Sequence, residues 1–347
     1  MKSPFTSIDE FRKEFNKGLH DLAKQDGLGA FILVCANATV HEDMFDEFRS
    51  ILEKQYQELY ARYRKSFLEG CDVDVVDEDL LVFLKLHTIG FESIRHNEDR
   101  QEGVWKIQFN HLRSFRPRRI TRFIHEGLSE PYNGDNFNFN KPFMARECFW
   151  SGVLNGRDVD LFYNKYPFAD FHGLLVMDRK SCKPQLLRKK DHDYVFKLAA
   201  ELDDNLPGVG FGYNSYGAYA SVNHLHFQMF IDTEGLPVAD QCWVHNGGEK
   251  EYPVACYVFE SIKSSWQLIR ELHDQQQPYN ILYLPGRVFV FPRKTQGMVD
   301  VPGWSSGFTW YELSGGMISF NYDDYKGLKS AAVEKHLSEL KLEKRFS

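Results

Sequence analysis

The sequence has no long hydrophobic run, and its longest is the ten residues GLGAFILVCA that start at Gly27. A membrane-spanning helix needs about 20 apolar residues, so we expect this run to be a buried strand or helix. The first residues, MKSPFTSIDEFRKEF, have no apolar signal core and include acidic side chains. Neither a secretory nor a mitochondrial address is indicated, and we expect a cytoplasmic protein without a membrane partner.

Cysteines are few and widely spaced. The six of them, at positions 35, 71, 148, 182, 242 and 256, form no CxxC pair and no short disulfide-like spacing. Reduced thiols in a cytoplasmic protein are the simplest interpretation of this pattern.

An excess of basic residues is also absent. The chain has 49 acidic and 42 basic residues, a net charge of -7 and a pI near 6.0. This balance predicts no nucleic-acid partner, although a local basic pocket could still bind a small phosphate ligand. With 43% hydrophobic and 15% aromatic residues in 347, the composition is that of a globular protein with one large or two closely joined domains.

Hydrophobic periodicity predicts a helical beginning and a strand-rich remainder. Apolar residues recur every three or four positions over 41–69, from Phe45 to Phe67, which is typical of an amphipathic helix. Further helices are expected over 191–204 and 262–274. The segments that read as strands are WKIQFNHL, ECFWSGVL, DVDLFYNKY, HGLLVMD, GVGFGYN, HLHFQMFID and the hairpin YNILYL–RVFVFPRK.

The chain also contains a faint internal echo. FYNKYPFADFHGLLVMDRK, around Asn164, is similar to PYNILYLPGRVFVFPRK, around Asn280. The spacing of about 115 residues is too long for a solenoid repeat and suggests a duplicated domain instead.

The segment GYNSYGAYASVNHLHFQMF, residues 212–230, concentrates the polar side chains that could perform chemistry. If it is a strand, His224, His226 and Gln228 share one face. Upstream, Asn214, Gly217 and Ser221 form a small-residue loop that can approach a ligand closely. Two imidazoles, a carboxamide and a hydroxyl on one edge suit an anionic, oxygen-rich ligand.

Three interpretations of the histidine pair compete. A metal site could use His224 and His226, but two ligands are too few and no supporting carboxylate or thiol stands nearby. The histidines could instead be satisfied polar groups on a sheet. In the third interpretation, one histidine is a nucleophile toward phosphorus, activated by a hydrogen bond at its other ring nitrogen.

The motif resembles that of the histidine-triad superfamily, in particular the GDP-L-galactose and GDP-D-glucose phosphorylase group. GYNSYGAYASVNHLHFQ is similar to that group's nucleotide-transfer motif almost throughout. The resemblance covers roughly residues 104–330 and does not extend well into the first hundred. Other similar segments are FNHLRSFRPRR (109–119), NFNFNK (136–141), YNKYPFADFHGLLV (163–176), EYPVACYVFE (251–260), PYNILYL…VFVFPRK (278–294) and WYELSGGMISFNYDDYKG (310–327).

This resemblance implies an α+β fold, a largely antiparallel sheet built from two related halves and flanked by helices. It implies a helical region over 1–103, a catalytic half over 104–235 and a second half over 236–347 that has lost its histidines. It also implies that His226 attacks the α-phosphorus of a nucleoside diphosphate sugar and forms a nucleotidyl-histidine, which inorganic phosphate then cleaves. His224 would donate to the phosphate beside it, and Gln228 would position a phosphoryl oxygen.

Further residues follow from the same resemblance. The residues expected to bind the nucleotide, its phosphates or its base are Asn164, Lys165, Asn214, Gly217, Ser221, Asn223, Asn110, Arg113, Arg116, Lys141 and Arg293. No cofactor is implied, and no structural metal is expected because the cysteine pair of some uridylyltransferases is absent.

Other activities remain open at the level of the sequence. They are a dinucleoside polyphosphate phosphorylase, a nucleotidyltransferase on another sugar phosphate and a non-catalytic nucleotide-binding protein. A homodimer is also left open.

Overall fold

Helices and strands alternate in blocks along the chain in this computed structural model, which describes residues 3–73, 75–116, 127–344 and 346. The helices are α1 (Ile8–Leu22), α2 (Leu28–Ala38), α3 (Glu42–Leu68), α4 (Asp77–Ile89), α5 (Met144–Glu147), α6 (Lys189–Leu202), α7 (Ile262–Asp274), α8 (Trp310–Leu313), α9 (Tyr322–Gly327) and α10 (Ser330–Glu339). The strands are β1 (Glu98–Glu102), β2 (Trp105–Phe109), β3 (Cys148–Leu154), β4 (Arg157–Tyr163), β5 (Asp170–Met177), β6 (Val209–Asn214), β7 (Phe227–Ile231), β8 (Tyr257–Phe259), β9 (Tyr279–Leu284), β10 (Arg287–Pro292) and β11 (Gly316–Ser319).

The four N-terminal helices form one layer, in which α2 contacts α1, α3 and α4, and α1 contacts strand β3 of the sheet. The apolar run at Gly27 is helix α2, and the periodic segment 41–69 is helix α3, as its spacing predicts. The stripe of α3 is buried from Phe45 to Tyr63, whereas Phe67 is 52% exposed and lies beyond the packed face. Where α1 meets the sheet, the ring of Phe15 lies 4.8 Å from that of Tyr163. None of the helices among the described residues combines the length and apolarity that crossing a membrane requires.

An antiparallel sheet of eight strands, in the order β3-β4-β5-β7-β6-β9-β10-β8, forms the centre of the molecule. One face carries side chains such as Phe211 and Ile281 into the core that also contains the N-terminal helices, α6 and α7. The other face, with Phe230 and Leu282, packs against a second core built around the small sheet β1-β2-β11. The α+β fold class expected from the sequence is confirmed.

The order of the strands reveals two similar units. The first unit consists, along the chain, of β5, α6, β6 and β7, and its strands lie in the sheet in the order β5-β7-β6. The second consists, along the chain, of β8, α7, β9 and β10, and its strands lie in the mirrored order β9-β10-β8. The two units join where β6 pairs with β9. The sequence echo does not mark this repeat, because Asn164 follows β4 whereas Asn280 lies within β9 and pairs with Asn214 of β6. The division at residues 103 and 235 remains a prediction.

A buried histidine links helices α6 and α7 to the sheet. His192 on α6 lies 2.9 Å from the hydroxyl of Tyr283 on β9 through Nδ1, and 2.9 Å from that of Ser265 on α7 through Nε2. Burial lowers the pKa of His192 to about 4. The neutral ring therefore stabilises the contact among these three elements.

This pKa predicts a pH-dependent contribution to stability. Between about pH 6.5 and pH 4 the unfolded chain protonates His192 and the folded chain does not, so the folded state loses stability as the pH falls. We expect the free energy of unfolding of wild type, relative to His192→Asn, to decline by at most about 1.4 kcal/mol per pH unit in this window. Urea unfolding of both proteins at several pH values measures the difference. A difference that does not change with pH would contradict this role.

Candidate active site

A cleft of about 1740 Å³ runs between the N-terminal helices and the sheet, and His226 and Gln228 lie in its wall. Residues of α2 and α4, the loop after β4 and the segments 214–228 and 296–309 contribute to its lining. The cleft is therefore shared by the N-terminal helices, the strands β4 to β7 and the loop that follows β10.

The ring of His226 is fixed by a hydrogen bond to the chain just before it. Nδ1 lies 2.8 Å from the backbone carbonyl oxygen of His224, which can only accept, so the Nδ1–H donates. Burial lowers the pKa of His226 to about 4. The ring is therefore neutral at pH 7, with its single proton on Nδ1 and a lone pair on Nε2, as a nucleophile requires.

This arrangement differs from the expected strand. Strand β7 begins at Phe227, so only Gln228 of the three predicted polar residues belongs to it. The backbone of His226 bonds instead to the buried side chain of Gln185, whose Oε1 accepts from its N–H at 3.0 Å and whose Nε2 donates to its carbonyl at 3.3 Å. The same Nε2 donates to the carbonyl of Asn214 at 3.0 Å. Gln185 thus replaces a neighbouring strand at the point where the backbone of His226 is held.

His224 does not face the cleft. Its Nδ1 accepts from the N–H of Phe139 at 3.4 Å, and its Nε2 lies 3.0 Å from the carbonyl oxygen of Arg179. Burial lowers its pKa to about 4. Both ring nitrogens have protein partners, so the expected donation to a phosphate is not supported. His224 acts on the site through its carbonyl oxygen.

Trp310 on α8 fixes the orientation of two carboxamides in the cleft. Its backbone N–H donates to Oδ1 of Asn214 at 3.0 Å, and its indole N–H donates to Oε1 of Gln228 at 2.9 Å. Asn280 adds a second donor to Asn214 at 2.6 Å. Since both amide oxygens are occupied, both amide nitrogens are free to donate into the cleft. The indole fits there because Gly212 has no Cβ, which would come within 2.1 Å of it.

His172 on β5 completes the support of Gln228. Its Nδ1 accepts from the N–H of Phe168 at 3.3 Å, so Nε2 carries the proton and donates to Oε1 of Gln228 at 3.1 Å. Burial, with a smaller effect of the Arg113 charge, lowers the pKa of His172 to about 3. Nδ2 of Asn164 also lies 3.0 Å from Nε2, but both atoms are donors in this tautomer, so this contact is not a hydrogen bond. A histidine that is neutral at pH 7 therefore holds Gln228 in place.

Most of the predicted site residues come together in the cleft. Those that line it are His226, Gln228, Asn164, Lys165, Asn214, Ser221, Asn223, Arg113 and Arg116. Those that do not line it are His224, Gly217, Asn110, Lys141 and Arg293. Residues 117–119 of the segment FNHLRSFRPRR lie outside the described residues.

The residues away from the cleft bond to the protein itself. Asn110 donates to the carbonyl of Pro167 at 2.9 Å, and Lys141 donates to that of Asp135 at 3.0 Å. Neither is placed to bind the nucleotide, so these two assignments are not supported.

Gly217 and Arg293 also have structural surroundings. Gly217 has a φ of +77°, and a Cβ there would lie 3.0 Å from Pro278, so glycine is needed for the loop to turn. Arg293 is buried and donates to the carbonyl of Phe308. Both residues shape the loops around the cleft and do not reach into it.

The cations in the cleft differ in their partners. Arg113 donates to the carbonyl of Tyr166 at 2.7 Å, and burial lowers its pKa to about 10, which leaves it charged at pH 7. The guanidinium of Arg116 lies 5.8 Å from the centre of the Tyr166 ring. Lys165 forms an ion pair with Asp79 of α4. Arg113, a buried and charged guanidinium in the lining of the cleft, is therefore well placed for phosphate charge.

A metal interpretation of the histidine pair finds no support in the geometry. Nδ1 of His226 and both nitrogens of His224 are engaged by protein groups. Over the described ranges, no group of three or more histidine, cysteine, aspartate or glutamate side chains could hold a metal ion.

Comparison with known proteins identifies relatives of this chain. Residues 103–230 match the model of the GDPGP1-like, N-terminal domain. GDP-L-galactose phosphorylase 2 of Arabidopsis thaliana is 27% identical over 274 residues, which are 66% of this chain and 63% of that protein. GDP-D-glucose phosphorylase 1 of Danio rerio is 28% identical over 131 residues, 38% of this chain and 37% of that protein.

A solved structure supports the fold assignment. The crystal structure of yeast Ap4A phosphorylase Apa2 aligns with a TM-score of 0.51 and 15% identity, over 78% of this chain and 98% of that one. The resemblance to the histidine-triad phosphorylases and to the GDP-hexose phosphorylase group is confirmed. The alignments span less than two thirds of the length of the plant relatives.

Three residues that support the GDPGP1-like site were not predicted from the sequence. They are His172, Gln185 and Trp310, which lie on or near strands that pair with the motif but are distant in sequence. Trp310 and His172 fall inside segments that resemble the family, but no spacing rule links either of them to Gln228. Gln185 has no sequence signal that we can identify.

The geometry of the site predicts the pKa and the tautomer of His226, both of which can be measured by spectroscopy. His226 should titrate at about pH 4, well below the usual value near 6.5, and should keep its proton on Nδ1 at pH 7. Nitrogen-15 NMR of protein labelled at histidine measures both properties, and the His226→Ala variant assigns the signal. A titration near pH 6.5, or a proton on Nε2, would show that the ring is not held as described.

Proposed function

We propose that the protein is a GDP-hexose phosphorylase that acts through a nucleotidyl-histidine on His226. The observation that carries this proposal is the neutral His226 ring, whose Nδ1–H bonds to the His224 carbonyl while Nε2 keeps its lone pair in the cleft. A binding protein would not need a nucleophile, and the named relatives are phosphorylases of GDP-sugars.

In the first step, Nε2 of His226 attacks the α-phosphorus of the nucleoside diphosphate hexose. The N–P bond forms as the bond from phosphorus to the bridging oxygen breaks, and hexose 1-phosphate leaves as an anion. The positive charge that develops on the ring is stabilised by the His224 carbonyl, which accepts from Nδ1–H. The amide nitrogens of Gln228 and Asn214 are placed to donate to the phosphoryl oxygens.

In the second step, an oxygen of inorganic phosphate attacks the same phosphorus. The N–P bond breaks, nucleoside diphosphate leaves, and His226 returns to the neutral form. The phosphate leaving group of the first step is a stabilised anion that needs little help from an acid, so a carboxamide can occupy the third position of the motif. Arg113 and Arg116 would balance the phosphate charge.

Partners and location follow from the same proposal. The substrates are a nucleoside diphosphate sugar and inorganic phosphate, and we infer no nucleic-acid partner from the net charge of -7. All six cysteines are free thiols, which is typical of a reducing compartment such as the cytoplasm.

Replacing the nucleophile tests the covalent step. We expect His226→Ala to retain the fold and to lose all but a few per cent of GDP-hexose turnover, since no other described group occupies the position of Nε2. His224→Ala should retain more activity because its carbonyl oxygen remains, and any adduct trapped in it should map to His226 by peptide mass spectrometry. His20→Ala, a substitution on the surface of α1, serves as the control. Substantial activity in His226→Ala would exclude the proposed nucleophile.

The acceptor provides a second test. The third motif position holds Gln228 in place of an imidazole that could activate water, so phosphate should accelerate sugar-nucleotide consumption by about a hundredfold or more. Mass spectrometry of the products formed from GDP-, ADP- and UDP-hexoses and from Ap4A, with and without phosphate, measures this and identifies the preferred substrate. Equal rates without phosphate would indicate a hydrolase, and a preference for Ap4A would indicate a dinucleoside polyphosphate phosphorylase.

A further inference from the structure

The cleft has a second polar wall, to which the N-terminal helices contribute and which the transfer steps above do not use. Nζ of Lys165 lies 2.6 and 2.8 Å from the two carboxylate oxygens of Asp79 on α4. The Asp79 side chain is only 11% exposed. Lys165 directly follows Asn164, whose side chain lies beside the histidine that holds Gln228. The ion pair therefore joins the helical layer to the loop nearest the nucleophile.

A glycine lets this ion pair pack closely against α2. A Cβ at Gly29 on α2 would lie 3.1 Å from Oδ2 of Asp79 and 3.8 Å from Nζ of Lys165. Gly29 itself lines the cleft. The absence of a side chain at Gly29 therefore fits the close approach of the Asp79 carboxylate to the first turn of α2.

Glu147, at the end of α5, adds a carboxyl group to the same wall. It lines the cleft, and no described residue forms a hydrogen bond with its side chain. Burial raises the pKa of Glu147 to about 7, although the nearby Lys165 ammonium acts in the opposite direction. A carboxyl group without a protein donor is placed to accept hydrogen bonds from a ligand.

Two aromatic rings indicate that the ligand at this end of the cleft is planar. Phe137 and Phe143 are 43% and 49% exposed, line the cleft, and have ring centres 6.1 Å apart. Stacking of a nucleobase on an aromatic ring contributes about 1–3 kcal/mol. The centre of the Phe139 ring lies 5.3 Å from that of the His226 ring and 6.3 Å from that of the Phe137 ring, so Phe139 connects His226 to this pair. Phe143 directly precedes α5, which ends at Glu147.

We propose that this wall recognises guanine, with Glu147 accepting from the base and Lys165 donating to it. This inference rests on the proposed function. Guanine presents two neighbouring donors, N1–H and the 2-amino group, beside the acceptor O6. A carboxylate matches the donors, and an ammonium held by Asp79 matches O6. Adenine presents an acceptor at N1 and a donor at its 6-amino group, which would oppose both protein groups and leave them unpaired.

Binding measurements in the His226→Ala background test the proposal without turnover. Calorimetric titration should show that this protein prefers GDP to ADP. Glu147→Gln, which keeps the shape but not the charge, should weaken GDP binding by about tenfold or more, the equivalent of about 1.4 kcal/mol, and should leave ADP binding nearly unchanged. Asp79→Asn should also reduce the preference for GDP because Lys165 loses its charged partner. Glu334→Gln, an exposed substitution on α10, is the matched control for charge.

The outcomes separate this inference from the proposed function. An equal loss of GDP and ADP affinity in Glu147→Gln, or no loss, would overturn recognition of guanine by this wall. Loss of GDP-glucose affinity without loss of GDP affinity would assign the wall to the hexose and also overturn it. If wild-type protein turns over no nucleotide sugar but the charge-dependent preference for GDP persists, the proposed activity fails and the guanine site stands. Thermal unfolding of each variant shows that it remains folded.

Discussion

The hydrogen bond from Nδ1 of His226 to the carbonyl of His224 determines how the site is built. It fixes the tautomer, and therefore places the only lone pair of a neutral imidazole on Nε2. Residues 224–226 lie outside β7, so His226 does not pair with a neighbouring strand. Its backbone N–H and carbonyl would be unsatisfied in a buried position, which is costly. Gln185 removes that cost by bonding to both the N–H and the carbonyl of His226.

The two similar units of the sheet contribute different residues to the site. The first unit carries His226 and Gln228, while the second carries none of the motif histidines but leads to Trp310. Because β6 and β9 pair at the centre of the sheet, Asn214 and Asn280 meet across the junction. Trp310 then fixes both Asn214 and Gln228 with donors that cannot rotate. Preorganised donors of this kind need not reorient when charge develops on the phosphoryl group.

Local pattern was sufficient to predict most strands of the large sheet and helices α3, α6 and α7, but it could not predict which polar side chains would face the cleft. The periodicity of α3 and the alternation of β6 and β9 are properties of adjacent residues. The support of Gln228 by His172 and Trp310 depends on strand pairing across 56 and 82 positions. The same limit applies to Asn110 and Lys141, whose assignment to the site is not supported because they donate to backbone carbonyls although they sit in family-like segments.

The residues that line the cleft come from two parts of the chain. The groups around His226 belong to the sheet and to loops that pack on it, and they all follow residue 103. Asp79 and Gly29 belong to helices that precede it. A largely buried ion pair gains little net stability, because desolvation opposes its attraction. Asp79 and Lys165 are therefore poorly explained as a fold-stabilising contact, whereas a charged donor held at the wall of a cleft is what selection among neutral bases requires.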